Sequence, residues 1–254
     1  MKKILFLAVF IAHFVTFVSA FEAPNILSIT IPKQADSALD SANMGKNAES
    51  SIKIPAMDLK VGESGIVTRV VNDNEFIIAN ALVSEVKDGV AVVEISDFTQ
   101  MSEKYLPKPL GKVAQGDKIT FRILYDRALL ITPNQSAYQD ISAQFGWVDF
   151  LHSDIFAMFL SKEGKNMPDS ANFTRFCEKY DVGLVFVALR SRVEILNCVS
   201  FKKIAFSSFR LKDRSVKKPF FTRLSDEAID EIFNPKKIEN YFAYFGKLVA
   251  DSAK

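Results

Sequence analysis

His152, Ser153 and Asp154 stand next to one another and carry the letters of a hydrolytic triad. Histidine is the side chain whose unperturbed pKa suits proton transfer near neutrality, and the chain has two, His13 and His152. Consecutive residues do not present three side chains to one substrate, because working triads are assembled from distant parts of a fold. Ser153 and Asp154 therefore read as a helix cap and a first-turn acid. Cys177 and Cys198 are the two cysteines, and neither they nor His152 fall at zinc-ligand spacing. No Asp/Asn-rich loop closing on Glu resembles a calcium hand. Val61-Gly62-Glu63-Ser64-Gly65 lacks the lysine and following helix of a phosphate-cradling loop. Asp58, Glu63, Asp73 and Glu75 lie near expected turns, where carboxylates face water. A carboxylate pair for glycoside hydrolysis is a three-dimensional property that one sequence leaves open. The expectation is no catalytic, metal-binding or cofactor-binding residue: a protein that works by contact and is not an enzyme.

The start of the chain gives its compartment. Lys2 and Lys3 make a positive n-region, and Ile4 to Val18 is a 15-residue apolar run broken by His13 and Thr16. A membrane-spanning helix needs about 20 residues, and Val18-Ser19-Ala20 offers compact residues where a signal peptidase cuts, between Ala20 and Phe21. A retained N-terminal anchor is the alternative. No later segment approaches membrane length, so the expected location is the periplasm, with cell surface or secretion requiring a further step. In that oxidising compartment an even cysteine count favours a Cys177–Cys198 bridge; two buried thiols that never meet remain the other reading. Removing residues 1–20 takes two lysines and no acid from 32 basic and 30 acidic residues, leaving 30 of each. A neutral mature chain argues against a nucleic-acid partner, which requires a basic excess.

The elements that must hold these residues follow from periodicity. Twenty-three Phe residues against ten Gly and one Trp point to a packed core. Residues 21–50, rich in Ser, Ala, Asn and Asp, read as a flexible leader with one strand near Ile29-Thr30-Ile31. Residues 51–134 read as all-β: Gly65 to Val71, Phe76 to Val86, Val90 to Phe98, the alternation at Ile119, Phe121 and Ile123, and Ala128 to Thr132. Asp88-Gly89 suits a type I′ hairpin. So many short strands suggest a small barrel or sandwich. Residues 135–254 switch to a mixed α+β pattern. Ser136 and Ser153 begin helices, a third follows Pro168 with Phe173, Phe176, Cys177 and Tyr180 on one stripe, and Gly183–Leu189, Val193–Ser200 and Ile204–Phe209 form a three-stranded antiparallel sheet. Ser225 opens one C-terminal helix, and Asn234-Pro235 caps a last one bearing Ile238, Tyr241, Phe242, Phe245, Leu248 and Val249. The fold class is α+β, with two domains joined near residue 135.

Five segments carry a resemblance. They are Ile54 to Gly65, Tyr105 to Pro109, Leu130 to Asn134, Pro219 to Arg223, and Asn240 to Phe245. Together they resemble the N-terminal domain of the plasminogen-binding protein A (PgbA) family over about residues 50–250. The resemblance implies a cell-envelope protein with host plasminogen as partner, recognised through lysine. A C-terminal lysine supplies an ammonium and a carboxylate on one apolar stem, which makes Lys254 the candidate contact. Members of the family continue into a Lys/Glu-rich extension, whereas this chain stops after the shared region. A periplasmic structural or interaction module that lacks plasminogen binding is the alternative.

Overall fold

The computed structural model describes residues 21–31, 50–98, 112–165, 167–225, 227–229 and 240–252. Its first half is one antiparallel sheet of six strands: β1 (Leu27–Thr30), β2 (Ser50–Pro55), β3 (Ser64–Val71), β4 (Asn74–Lys87), β5 (Val90–Asp97) and β6 (Lys118–Phe121). The spatial order is β1-β6-β3-β4-β5-β2, so the sheet curls into a half-barrel whose end strands do not pair with each other. The closed barrel or sandwich expected from the strand count is not formed. Period-two patterning still sets the inner face: Val67, Ala81, Val83, Ala91, Val93, Ile119 and Phe121 are buried together with Ile54 and Leu59. Asp88 and Gly89 both take positive φ (50° and 77°) at the β4–β5 turn, as a type I′ hairpin requires.

The second sheet has five strands, not three. β7 (Arg127–Ile131), β8 (Asp149–Leu151), β9 (Leu184–Ala188), β10 (Arg192–Asn197) and β11 (Lys203–Ser208) lie in the order β11-β10-β9-β7-β8. The antiparallel trio β9, β10 and β11 is the sheet read from the sequence. β7 and β8 extend it by pairing in parallel, β7 with β9 and β8 with β7. β7 thus leaves the all-β run in which it is written and joins the second sheet. Its residues Ala128 to Ile131 are all fully buried, the continuous apolar run of a strand covered on both faces. On one face lies α1 (Gln135–Gln144), with Ile141 and Phe145 over Leu130, Leu184, Phe186 and Ile195. On the other lie α2 (Ser153–Lys162), α3 (Ser170–Tyr180) and α4 (Tyr241–Asp251), whose Phe156, Phe173, Phe176, Tyr241 and Phe245 meet Leu129, Ile131, Val185 and Val187.

The caps of α1 and α2 stand two residues and one residue before their expected places. α1 is capped by Asn134, whose side chain accepts from Ala137 N–H, rather than by Ser136. α2 is capped by His152 rather than Ser153. α3 is closed by a capping box between Asp169 and Asn172. α4 is capped by Asn240, and Asn234-Pro235 lie outside the described residues.

Candidate functional site

Two polar clusters and one covalent link gather the residues able to do chemistry. The first cluster sits where the parallel strands β7 and β8 end. His152 follows β8 directly, and its Nδ1 accepts the Asp154 amide at 3.1 Å. That nitrogen also lies 3.0 Å from Asp154 Oδ1. The two contacts ask for opposite states, because a ring nitrogen that accepts an N–H has no proton to give a carboxylate. Burial decides between them: it pushes the His152 pKa below 6.5, Arg223 adds to that, and the attraction of Asp154 does not compensate. His152 is a neutral cap at pH 7. Burial works against the Asp154 carboxylate too, but the Arg223 amide at 2.8 Å and its guanidinium Nε at 2.6 Å hold its pKa below the ordinary value. The Ser153 hydroxyl donates to the Phe221 carbonyl. The three consecutive letters are therefore spent on structure: they fasten residues 221–223 across the strand ends. Phe221 N–H to Thr132 O (2.8 Å) and Lys217 N–H to Pro133 O (2.8 Å) continue that seam.

The second cluster joins the two sheets. Arg122, between β6 and β7, donates from Nε to Glu63 Oε2 at 3.1 Å and from Nη1 to Asp58 Oδ2 at 3.0 Å. Glu63 is 3% exposed, which corrects the expectation of a water-facing turn carboxylate. Burial raises its pKa, with the Arg122 guanidinium pulling the other way. The same burial, reinforced by the Glu63 charge, drives the Tyr125 phenol far up, so its proton stays in place. Asn197, at the end of β10, donates to Tyr125 Oη at 2.9 Å and to Ser64 Oγ at 2.8 Å, and the Ser200 hydroxyl reaches Gly62 O at 2.7 Å. Met57, Arg122 and Leu124 all take positive φ (48°, 65° and 62°) beside this network, a conformation that costs each of them backbone energy. No periodicity marks these residues; the Val-Gly-Glu-Ser-Gly run was their one visible sign, and it reads as a loop.

Cys177, on α3, and Cys198, just past β10, form a disulfide with Cα atoms 5.8 Å apart. Both are buried in the core under α3. Phe21 packs its ring 5.9 Å from Trp147 and 6.5 Å from Phe186. Ala20 and Lys254 lie outside the described residues. Among the described residues no group of three or more His, Cys, Asp or Glu side chains is placed to hold a metal, and no helix is long and apolar enough to cross a membrane.

Residues 41–249 match the family described as "Plasminogen-binding protein pgbA N-terminal". The chain belongs to the PgbA N-terminal family. Plasminogen-binding protein PgbA of Helicobacter pylori strain J99 is 34% identical over 206 residues, and that of strain 26695 is 33% identical over 206. Each alignment covers 78% of this chain and 44% of the relative, so the chain spans less than half the length of the PgbA proteins it matches. No solved structure matches. The PgbA family match takes in β2 to β11, both polar clusters and the disulfide.

Proposed function

We propose that this chain is an exported cell-envelope protein that binds host plasminogen through exposed lysine, with Lys254 as the first candidate contact. Membership of a family whose curated relatives are named for binding plasminogen carries the reading. A lysine side chain presents an ammonium on an apolar stem, which is what a lysine-binding pocket takes. Export rests on Lys2-Lys3, the apolar run to Val18, and the compact residues before Phe21.

The test is a binding assay on immobilised plasminogen with the full chain and a chain lacking Lys254. Binding that is displaced by ε-aminocaproic acid and mostly lost with Lys254 is the expected result. Binding indifferent to both removes the lysine mechanism. A second reading, an interaction module of an envelope assembly, has its own support: the matched region is 44% of each relative, so the named activity can belong to the remainder. Absence of any plasminogen binding, together with a stable co-purifying envelope partner, would establish that reading instead.

A further inference from the structure

The charges of this nearly neutral chain are not evenly spread. Residues 190–218 hold nine Lys or Arg against two acids, Glu194 and Asp213. The fold collects most of them at one end of the second sheet. β7, β8 and β9 are parallel and β11 runs the same way, so their carboxyl ends share one side. Arg190 follows β9 and Arg192 starts β10 at that side. Arg210 and Lys212 follow β11, where Phe209 N–H bonds Ser191 O and Leu211 N–H bonds Arg190 O. The chain then crosses the start of α1 as an extended strap. Asn134 Nδ2 holds it by donating to Asp213 O at 3.0 Å and Ser215 O at 2.8 Å, which leaves Arg214 and Lys218 exposed. The first turn of α1 carries no acid, so its positive end adds to the field. Two of these cations are ion-paired, Arg192 with Glu194 and Lys212 with Asp140 at 3.0 Å, and Asp154 is held by Arg223 at 2.6 Å, so the excess at this end rests on Arg190, Arg210, Arg214 and Lys218. The opposite end of the sheet is closed off, because Asn197 and Ser200 dock there on Ser64 and Gly62.

Apolar side chains are exposed among the cations. Phe206 is 58% exposed beside Arg192, and Val216, 37% exposed, stands between Arg214 and Lys217. Cations alone suit any polyanion. Cations interleaved with an exposed aromatic and an aliphatic side chain suit a bilayer surface, where phosphates meet the charges and the apolar groups enter the headgroup boundary.

We infer that the cationic end of the second sheet, formed by residues 190–192 and 209–218, docks on the surface of a membrane rich in anionic lipid. The experiment is co-sedimentation of the chain from Phe21 to Lys254, which keeps every described contact, with two kinds of vesicle: phosphatidylcholine alone, and phosphatidylcholine with phosphatidylglycerol. The expected result is binding to the anionic vesicles only, weakened by salt as an exposed electrostatic contact must be. The triple variant Arg210→Gln, Arg214→Gln, Lys218→Gln should lose on the order of a hundredfold in affinity. The triple variant Lys53→Gln, Lys87→Gln, Lys247→Gln removes equal charge elsewhere and should bind like the parent. Val216→Ser should leave a contact that salt abolishes more readily. Equal losses in the two triple variants, equal binding to both vesicles, or no binding to either would overturn the inference. So would preferential capture by poly-glutamate competing the vesicles off, which would make the partner an acidic polypeptide.

Discussion

At the scale of single residues, the chain commits its titratable groups to holding segments together. His152 illustrates the cost. Its folded pKa lies below 6.5, so on acidification the unfolded chain takes the proton first. The contribution is complete above pH 6.5 and is lost as pH falls from there through the folded pKa. His152→Gln should flatten that part of a stability–pH profile measured by urea titration. A parent profile already flat between pH 7 and 5 would contradict the assignment of a neutral cap. Arg122 makes the opposite case. Arg122→Met strands the Glu63 carboxylate in the junction and should lower stability by about 3 kcal/mol. Adding Glu63→Gln should return a good part of the loss, since it removes the uncompensated charge; additive losses in the double variant would show that the two do not act as a pair.

At the scale of elements, legibility followed periodicity. The β4–β5 hairpin was visible because Asp88-Gly89 needs two left-handed residues between alternating apolar runs. β9, β10 and β11 were visible as apolar runs separated by the polar breaks at Arg190-Ser191-Arg192 and Lys202-Lys203. β7 was misplaced because Ala128 to Ile131 is apolar at every position, and such a run does not say which sheet buries it. β8 has three residues and no pattern at all. Caps were missed at α1 and α2 because Asn134 and His152 compete with serines one or two positions on, and geometry chooses between them. The disulfide was readable as an even cysteine count, with one cysteine on the apolar stripe of α3 and the other just past the end of β10. Replacing Cys177 and Cys198 together by Ser should cost about 3 kcal/mol in thermal or chemical unfolding. Treating the parent with reductant should reproduce the same shift. Asn240→Ala, at the start of α4, should cost about 1 kcal/mol, because its side chain accepts the Phe242 and Ala243 amides.

At the scale of the whole molecule, the two sheets meet through hydrogen bonds and close backbone approach more than through a shared apolar core. Their buried clusters are separate, with the curled sheet holding one and the five-stranded sheet two. Gly62 is one point of close approach: a Cβ there would lie 2.5 Å from Lys202 Cβ, at a φ of +91°. Gly62→Ala should loosen the joint and raise amide exchange at Gly62 and Val83 while exchange within β9 stays slow. None of this junction could be read from composition, because Glu63, Arg122 and Asn197 are far apart in sequence and polar in type.

Whole-molecule charge behaves differently from its parts. Residues 190–218 stand at +7, nine cations against two acids, and the full chain at +2, so the remainder stands at −5. Lys202 and Lys203, two of those nine, stand at the start of β11, so the cationic end is a local excess on a body of little net charge. At low salt and neutral pH the chain should be retained by a cation-exchange resin despite that balance, and released as salt screens the contact.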